Sequence, residues 1–271
     1  MTGPEPLEPS SVLLPERVAI VTGAANGIGR ATAALFARFG ATLAVCDREP
    51  EGLAAVTDEI AALGRPVLAR EFDVRDAAAV GSFLSDVAST HGHVDVLVNN
   101  AGGTFFAPFV DVSAGGEAAL LAENFTQVTR LVRSVVPLMP DTGGSVVNVT
   151  SIEAHQAAPG FAVYGAMKAA LAQLTRTLAL ELAPRRIRVN AIAPDAIPTG
   201  GDHELQDSMR ESGATFEPTV LPPLGFFGGP DDAAAAAVFL ASELSRFVTG
   251  TTVHVDGGNW AAGGWRRVEV S

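Results

Sequence analysis

The chain is poor in the residues that build disulfides, metal sites and nucleic-acid surfaces. Its single cysteine, Cys46, excludes an intrachain disulfide and a cysteine-based zinc site, and its five histidines form no H-E-x-x-H pattern. We therefore expect no bound metal. A net charge of −12 would repel a phosphate backbone, so nucleic acid is not an expected partner.

Long hydrophobic runs and targeting signals are also missing. No apolar run approaches the roughly 20 residues that cross a bilayer, and the opening stretch MTGPEPLEPSSVLLPER lacks the basic and apolar regions of a signal peptide. We expect a cytoplasmic protein without a membrane partner. Residues 1–16 are expected to form a flexible arm, and residues 17–271 a single domain with an apolar core.

Short apolar runs alternate with alanine-rich segments of helical period after the arm. Strands are predicted at 17–22, 42–47, 66–72, 94–100, 145–150, 187–193 and 251–255. Helices are predicted at 27–39, 51–63, 76–90, 117–136, 160–183 and 231–243. Several strands are apolar on both faces, which is typical of parallel sheets. The predicted fold class is α/β, a doubly wound (Rossmann) sheet with helices on both faces.

Residues 199–229 interrupt this alternation. They are rich in Gly and Pro and contain only a short candidate helix at 203–211. Such a stretch is either a substrate lid or a simple connection, and we favour the lid.

A glycine turn follows the first strand in TGAANGIG, with Gly23, Gly27 and Gly29. Glycines let the backbone approach a diphosphate closely, and the start of the next helix supplies free N–H donors and partial positive charge. The spacing G-x-x-x-G-x-G differs from the G-x-G-x-x-G of the usual dinucleotide pattern. A structural turn without a ligand therefore stays an alternative.

Asp47 ends the second predicted strand, about 20 residues after the glycines, where a carboxylate accepts hydrogen bonds from the adenosine ribose hydroxyls. It would also repel the 2′-phosphate of NADP. Only Arg48, the next residue, offers a positive charge to such a phosphate. The sequence therefore favours NAD over NADP as the cofactor.

Several separated motifs together resemble the short-chain dehydrogenase/reductase (SDR) family. They are TGAANGIG, Asp73-Val74, NNAG at 99–102, Y-x-x-x-K at 164–168 and VDGG at 255–258. The likeness extends over nearly everything from residue 17 to residue 258. It implies a seven-stranded parallel sheet, with the cofactor across the carboxyl ends of the strands.

The resemblance also implies specific site residues. The implied catalytic tetrad is Asn124, Ser151, Tyr164 and Lys168. The implied cofactor contacts are Gly23, Asn26, Gly27, Ile28, Gly29, Asp47, Arg48, Asp73, Val74, Asn100, Ala101, Gly102, Tyr164, Lys168, Pro194, Ile197 and Thr199. By the same likeness, Ser151 orients the substrate oxygen and Asn124 holds a water that links Lys168 to solvent.

Tyr164 and Lys168 are the only tyrosine and the only lysine in the chain. At i and i+4 they share a helix face, so the ammonium can lower a tyrosine pKa that is about 10 when unperturbed. A phenol so tuned can pass a proton near neutral pH. Such pairs are often surface coincidences, but here both residues follow Ser151 at the family spacing. The neighbouring hydroxyl, Thr150, is turned away by strand alternation.

Two positions depart from the family pattern. Asp195 stands where the family usually has Gly, and because Asp tolerates left-handed backbone angles, we expect the turn to persist. Phe226 stands where the family commonly has Arg. Six phenylalanines lie near the predicted site in the sequence, and they either line an apolar pocket or belong to the core. They are Phe105, Phe106, Phe109, Phe161, Phe226 and Phe227. Glu153 and His155 either line the pocket or lie in a solvated loop.

The leading functional hypothesis is NAD-dependent interconversion of a secondary alcohol and a ketone on an apolar substrate of steroid, terpenoid or acyl-chain type. The alternatives are a 3-oxoacyl-carrier or CoA reductase and a non-catalytic NAD(H)-binding regulator or scaffold. By analogy with the family, the predicted helices at 117–136 and 160–183 pair between subunits of a homotetramer. The tail NWAAGGWRRVEVS either packs on a neighbour or is frayed.

Overall fold

Seven parallel strands form one sheet in the computed structural model, which describes residues 6–198, 205, 209 and 221–263. The strands are β1 (Val18–Thr22), β2 (Thr42–Asp47), β3 (Val67–Glu71), β4 (Val96–Asn99), β5 (Gly144–Val149), β6 (Ile187–Pro194) and β7 (Thr252–Val255). Their order is β3-β2-β1-β4-β5-β6-β7. Strand order reverses between β1 and β4, as in a doubly wound sheet. The predicted fold class is confirmed.

Helices pack on both faces of this sheet. They are α1 (Gly27–Arg38), α2 (Pro50–Ala62), α3 (Ala77–His91), α4 (Ala114–Leu121), α5 (Gln127–Val135), α6 (Ala162–Glu181), α7 (Pro230–Ala241) and α8 (Asn259–Ala262). Alternate residues of β1 enter opposite layers. Ala19 and Val21 pack with α1, α2 and α7, whereas Val18 and Ile20 pack with α3, α5 and α6. Burial on both sides explains why the strands are continuously apolar.

Parallel register brings the carboxyl ends of the central strands to one edge. Val21 of β1 lies beside Val45 of β2 and Val98 of β4. On the other side of β4, Asn99 lies beside Asn148 of β5. The loops that leave these ends therefore share one edge of the sheet, where open α/β folds bind ligands.

The predicted helix at 117–136 is in fact two helices joined by a π-helical turn, Ala122–Thr126, that separates α4 from α5. The Gln127 N–H bonds the carbonyl of Ala122, five residues earlier, instead of the usual four. An unbroken apolar period does not reveal one inserted residue, which explains why the sequence predicted a single helix.

Part of the segment predicted as a flexible arm packs against the domain. Residues 9–12 form a helical turn, and the Leu14 side chain, 1% exposed, joins the core. The Leu14 N–H also donates to the Phe39 carbonyl, 2.7 Å away. The predicted arm over residues 1–16 therefore extends too far. The many prolines of this segment suggested a loose arm, although Leu14 is buried in the core.

Most of the predicted lid at 199–229 lies outside the described residues, as do most of its candidate helix at 203–211 and the end of the tail. Its described end approaches the sheet edge, where the Gly228 N–H donates to the Ala196 carbonyl at 3.1 Å. Among the helices that the structure describes, none is both long and apolar enough to cross a bilayer.

Candidate active site

The glycine turn after β1 is shaped for close approach. Gly23 and Gly27 have positive φ angles of 67° and 52°, which favour glycine. A methyl group on Gly29 would lie 1.9 Å from the Gly23 carbonyl oxygen, so no larger residue fits there. Asn26 begins α1 without capping it through its side chain, and Ile28 packs toward the core. The first N–H groups of α1 can therefore receive an anion.

Asn100, after β4, holds this turn in place. Its side-chain amide donates to the carbonyls of Thr22 and Gly23, both at 3.0 Å. The Thr22 hydroxyl in turn accepts from the N–H groups of Asn100 and Ala101, at 3.1 and 3.0 Å. The end of β4 and the glycine turn thus form one hydrogen-bonded unit.

Asp47 lies at the end of β2, beside the glycine turn. Its carboxylate accepts from the N–H groups of Ala25 at 2.9 Å and Glu49 at 3.0 Å. Both oxygens keep acceptor capacity, since each has two lone pairs. Arg48 is largely exposed and its guanidinium lies 3.6 Å from the Glu123 carboxylate. Arg48, the positive charge next to Asp47 in the sequence, is therefore already paired with an acid.

Asp73 and Val74 follow β3. Val74 is buried, whereas the Asp73 carboxylate is held by the Arg75 guanidinium at 2.5 to 3.0 Å. This hydrogen bonding lowers the pKa of Asp73. Arg75, which the sequence did not single out, thus favours the ionised form of Asp73. Asp73 is predicted to lie near the adenine ring of the cofactor.

Lys168 lies buried on α6, where its ammonium donates to the Val149 carbonyl at 3.0 Å. It is 5.5 Å from the centre of the Tyr164 ring. Burial lowers the pKa of Lys168 to about 8, although the nearby carboxylates of Glu153 and Glu123 oppose that change. The buried ammonium therefore lies close to the ring of Tyr164, which is itself half-buried and lines the cleft described below.

The side chains of Asn124 and Lys168 both lie close to Gly102. A methyl group on Gly102 would lie 2.9 Å from the Asn124 amide oxygen and 3.3 Å from the Lys168 ammonium. Asn124 sits in the π-helical turn and donates to the carbonyls of Gly103 at 2.8 Å and Leu120 at 3.1 Å. This spacing suits the water-linked arrangement that the sequence predicts.

Ser151 follows β5 and is the hydroxyl that reaches the cleft. Its Oγ donates to the Glu153 carboxylate, in the helical turn Ile152–Ala154. Thr150 instead donates to the Ile192 carbonyl of β6 at 2.8 Å. Strand alternation therefore turns these hydroxyls apart, as expected.

A cleft of about 220 Å³ brings Ser151 and Tyr164 together. The residues that line it are Thr104, Ser151, Glu153, Phe161, Tyr164, Pro194, Asp195, Ala196, Ile197 and Leu205. Glu153 therefore belongs to the pocket, and burial raises its pKa. His155 packs against His254 and Trp260 instead, with ring centres 4.8 and 5.5 Å away.

The phenylalanines that the sequence assigned either to the pocket or to the core differ in their surroundings. Phe161 lines the cleft, and Phe106 packs edge-on against it, with ring centres 5.6 Å apart. Phe109 is 69% exposed, and Phe105, Phe226 and Phe227 are also exposed. None of these four lines the cleft formed by the described residues.

The site fits a dinucleotide. The glycine turn, the free start of α1 and the Asp47 carboxylate are arranged along one edge of the sheet. Within the described ranges, no three His, Cys, Asp or Glu side chains lie close enough together to hold a metal ion.

Comparison with known proteins identifies the family. A family model described as Enoyl-(Acyl carrier protein) reductase matches residues 23–259. The 3-oxoacyl-(acyl-carrier-protein) reductase of Thermotoga maritima is 38% identical and covers 89% of this chain and 97% of its own. The chain belongs to the short-chain dehydrogenase/reductase family. The resemblance predicted from its motifs is confirmed, and the protein is an SDR oxidoreductase.

Two further SDR relatives have described substrates. Cyclohexanol dehydrogenase of Rhodococcus sp. is 34% identical and covers 89% of this chain and 95% of its own. A 7α-hydroxysteroid dehydrogenase, solved with NADH and 7-oxo glycochenodeoxycholic acid, superposes with a TM-score of 0.83 at 32% identity. That comparison covers 93% of this chain and 97% of the solved one. The prediction of NAD agrees with the cofactor of this solved relative.

The acid that departs from the SDR pattern has a structural role. Asp195 accepts from the Ala196 N–H at 2.8 Å and from the Asn259 side chain at 2.6 Å. The left-handed residue is Ala196, with φ of 52°, and not Asp195 as the sequence suggested. Pro194 and Ile197 flank this turn at the cleft, and Thr199 lies outside the described residues. Asp195 therefore connects the end of β6 to α8.

Sequence reasoning missed several residues at this SDR site. Thr104 and Ala196 line the cleft without belonging to any motif, whereas Leu205, which also lines it, lies in the segment predicted as a lid. Asn259 had no local signal, because its partner Asp195 lies 64 residues earlier. Thr104 was the easiest to find, since it comes two residues after NNAG.

Proposed function

We propose that this SDR interconverts a secondary alcohol and a ketone with NAD. The observation that carries the proposal is the single cleft at which Ser151 and Tyr164 meet, with the buried Lys168 ammonium beside the phenol. The chain's only tyrosine lines this cleft, and its only lysine lies 5.5 Å from the centre of that tyrosine ring.

The cofactor would be held along the sheet edge. The start of α1 would receive the diphosphate, Asp47 the adenosine ribose, and Asp73 with Val74 the adenine side. Arg48 would lie near the ribose, and Lys168 would bond the nicotinamide ribose. Bound NAD supplies the chemistry that this chain lacks, by accepting or returning the hydride on the substrate carbon.

The protein residues manage the proton and orient the substrate. Tyr164 receives the alcohol proton as the phenolate, or gives a proton to the ketone oxygen as the phenol. The Lys168 cation stabilises the phenolate, and Asn124 would hold the water through which Lys168 exchanges protons with solvent. Ser151 donates a hydrogen bond to the substrate oxygen, which stabilises charge that develops there.

Asp47 supports NAD over NADP, because its carboxylate would face the 2′-phosphate and Arg48 is paired with Glu123. We expect NADH to bind at least tenfold more tightly than NADPH when binding is followed by fluorescence. Asp47→Ser should reduce that preference. Equal affinities in the wild type would contradict the role given to Asp47.

The decisive test is turnover in Tyr164→Phe. This variant should bind NADH like the wild type and lose alcohol oxidation and ketone reduction at least 1000-fold, since no other tyrosine can replace it. Retained turnover would reject the catalytic assignment. Absence of turnover in the wild type across every tested substrate, with tight NADH binding, would favour the regulator or scaffold alternative.

We propose a substrate with an apolar body. Phe161, Ile197 and Leu205 supply apolar surface in the cleft, and the relatives named above include enzymes of cyclohexanol and a hydroxysteroid. A panel of cyclic alcohols, hydroxysteroids, terpene alcohols and 3-hydroxyacyl thioesters, followed by NADH absorbance, tests this. Activity confined to small hydrophilic polyols would contradict it.

A 3-oxoacyl-carrier reductase is the second candidate, favoured by the Thermotoga maritima relative and by the description of the family model. The net charge of −12 disfavours docking of an acidic carrier protein. Reduction of a 3-oxoacyl thioester on the carrier, with a kcat/KM at least tenfold above that for free ketones, would favour this candidate.

We also propose a cytoplasmic homotetramer. Exposed leucines on the helices that SDR relatives pair between subunits support the assembly. Leu121 on α4 is 42% exposed and Leu180 on α6 is 77% exposed. Light scattering after gel filtration should give a mass near four chains, and a monomer would contradict the assembly.

A further inference from the structure

Glu153 contacts the serine that the proposed reaction uses, although the reaction itself does not require a glutamate. The Ser151 hydroxyl donates to the Glu153 carboxylate, and both residues line the cleft beside Tyr164. The backbone leaves little freedom here, because a methyl group on Gly165 of α6 would lie 3.0 Å from the Glu153 carbonyl oxygen. The backbone of Glu153 therefore packs closely against the helix that carries Tyr164.

A serine hydroxyl has one hydrogen to donate. In the proposed reaction the substrate oxygen needs that hydrogen in both directions, because an alcohol gives its own hydrogen to Tyr164 and a ketone has none. When the hydrogen points to Glu153, the Ser151 oxygen presents only lone pairs to the substrate oxygen. Glu153 and the substrate therefore compete for the same hydrogen.

We propose that Glu153 is a positioning residue which holds the Ser151 hydrogen when ionised and releases it to the substrate when protonated. A protonated carboxyl can itself donate to the Ser151 oxygen, which leaves the serine hydrogen free to point into the cleft. The inference rests on the proposed function for its effect on turnover. The contact between the two side chains does not depend on that function.

The charged and polar groups around Glu153 determine the pH range in which it changes between its ionised and protonated forms. Lys168 and Tyr164 face it from α6, Asp195 from the loop after β6, and Thr104 from the loop after β4, while His155 follows it in its own turn. Burial, assisted by Asp195, raises the pKa of Glu153, whereas Ser151 and Lys168 oppose the change. Protonation should therefore begin at a higher pH than for an exposed glutamate.

The first experiment compares pH profiles of ketone reduction in the wild type and in Glu153→Gln. The probe is cyclohexanone, or the first ketone of the panel whose reduction is lost in Tyr164→Phe. In the wild type, kcat/KM should fall about tenfold as pH rises through the Glu153 pKa, since an ionised carboxylate holds the serine hydrogen more strongly than a neutral acceptor does. Glu153→Gln should lose this limb, because a neutral amide is the weaker acceptor.

At higher pH, Glu153→Gln should therefore exceed the wild type in kcat, with NADH affinity unchanged. A merely structural role would lower activity at every pH without altering the profile. An unchanged profile in Glu153→Gln, or loss of activity at all pH values, would overturn the proposal. Glu153→Asp, which keeps the acid but shortens its reach, should move the limb without removing it.

The second experiment needs no turnover. The carboxyl carbons of the glutamates are labelled with ¹³C, and the Glu153 signal is identified by its loss in Glu153→Gln. In Ser151→Ala the Glu153 titration should move to higher pH, because a donor that favours the ionised form is gone. The signal of the exposed Glu117 serves as a control and should not move.

A Glu153 titration that Ser151→Ala leaves unchanged would reject the contact and the proposal with it. If no ketone is reduced, the proposed function fails, and the titration still decides whether Glu153 holds the Ser151 hydrogen. The two failures are therefore distinguishable.

Discussion

The Lys168 ammonium lies 5.5 Å from the centre of the Tyr164 ring and is 4% exposed. Burying a cation beside a phenol favours the phenolate, but it also disfavours the charged lysine. Because of this, the pKa of Lys168 falls from 10.5 to about 8. Catalytic usefulness and fold stability therefore oppose each other at this residue.

Lys168→Met should alter the pH dependence of stability. The wild-type fold binds fewer protons than its unfolded chain between pH 8 and 10.5, so its free energy of unfolding rises with pH in that window. Relative to Lys168→Met, the gain should be on the order of 3 kcal/mol. Urea unfolding without cofactor measures it. A constant difference between the two proteins across this window would show that the lysine is not desolvated.

Gly29→Ala should damage both the fold and cofactor binding. Its methyl group would lie 1.9 Å from the Gly23 carbonyl oxygen and 2.4 Å from the Asn100 amide. Overpacking of this kind costs about 1–3 kcal/mol, and displacement of the turn should weaken NADH binding at least tenfold. Thermal unfolding and NADH fluorescence measure the two effects.

Gly81→Ala is the matched control for that variant. Gly81 lies on the exposed side of α3 and has no atom within 4 Å of an added methyl group. Alanine there should stabilise the protein by about 1 kcal/mol through helix propensity and leave NADH binding unchanged. Equal effects at Gly29 and Gly81 would contradict the close approach assigned to the turn.

Leu14→Ala should destabilise the protein by about 2–5 kcal/mol, because it empties a buried position. Leu13→Ala, one residue earlier and 46% exposed, should change stability by less than about 0.5 kcal/mol. Denaturant unfolding of the two variants is a direct comparison. If both are neutral, residues 13 and 14 belong to the flexible arm after all.

A double-mutant cycle should show that Asp195 and Asn259 are coupled. Asp195→Ala and Asn259→Ala each remove the same 2.6 Å hydrogen bond, so the double variant should lose less than the two single losses together. The coupling should be about 1–2 kcal/mol. Asp195→Asn keeps an acceptor and should retain part of it. If the two single losses of stability add up to that of the double variant, the proposed link between β6 and α8 is wrong.

The sheet was predictable because its central strands are buried on both sides. The predicted strand at 42–47 matches β2, Thr42–Asp47, and the predicted helix at 27–39 nearly matches α1, Gly27–Arg38. The hydrophobic period of a helix and the length of an apolar strand depend only on local sequence, so a single sequence is enough to predict them. The doubly wound arrangement followed from alternating strands and helices, and the family resemblance implied the number of strands.

The parts that could not be predicted depend on contacts between distant or turning segments. The left-handed angle falls on Ala196, whose N–H donates to the Asp195 carboxylate, and composition does not reveal which residue of the turn adopts it. Glu153 could be assigned to the cleft only once the turn after Ser151 was known. Similarly, the sequence left open whether the phenylalanines line a pocket or belong to the core, and neither alternative holds for Phe109 and Phe226, which are exposed.

The π-helical turn at Ala122–Thr126 has a consequence for insertions and deletions. Each residue of an α-helix advances the side chains by about 100°, so removal of Ala122 would restore regular winding. Either Asn124 or the apolar stripe of α5 would then rotate out of place. An insertion or deletion in the segment from α4 to α5 would therefore be more damaging than most substitutions. The number of residues in this segment sets which side chains face the site and which face the core.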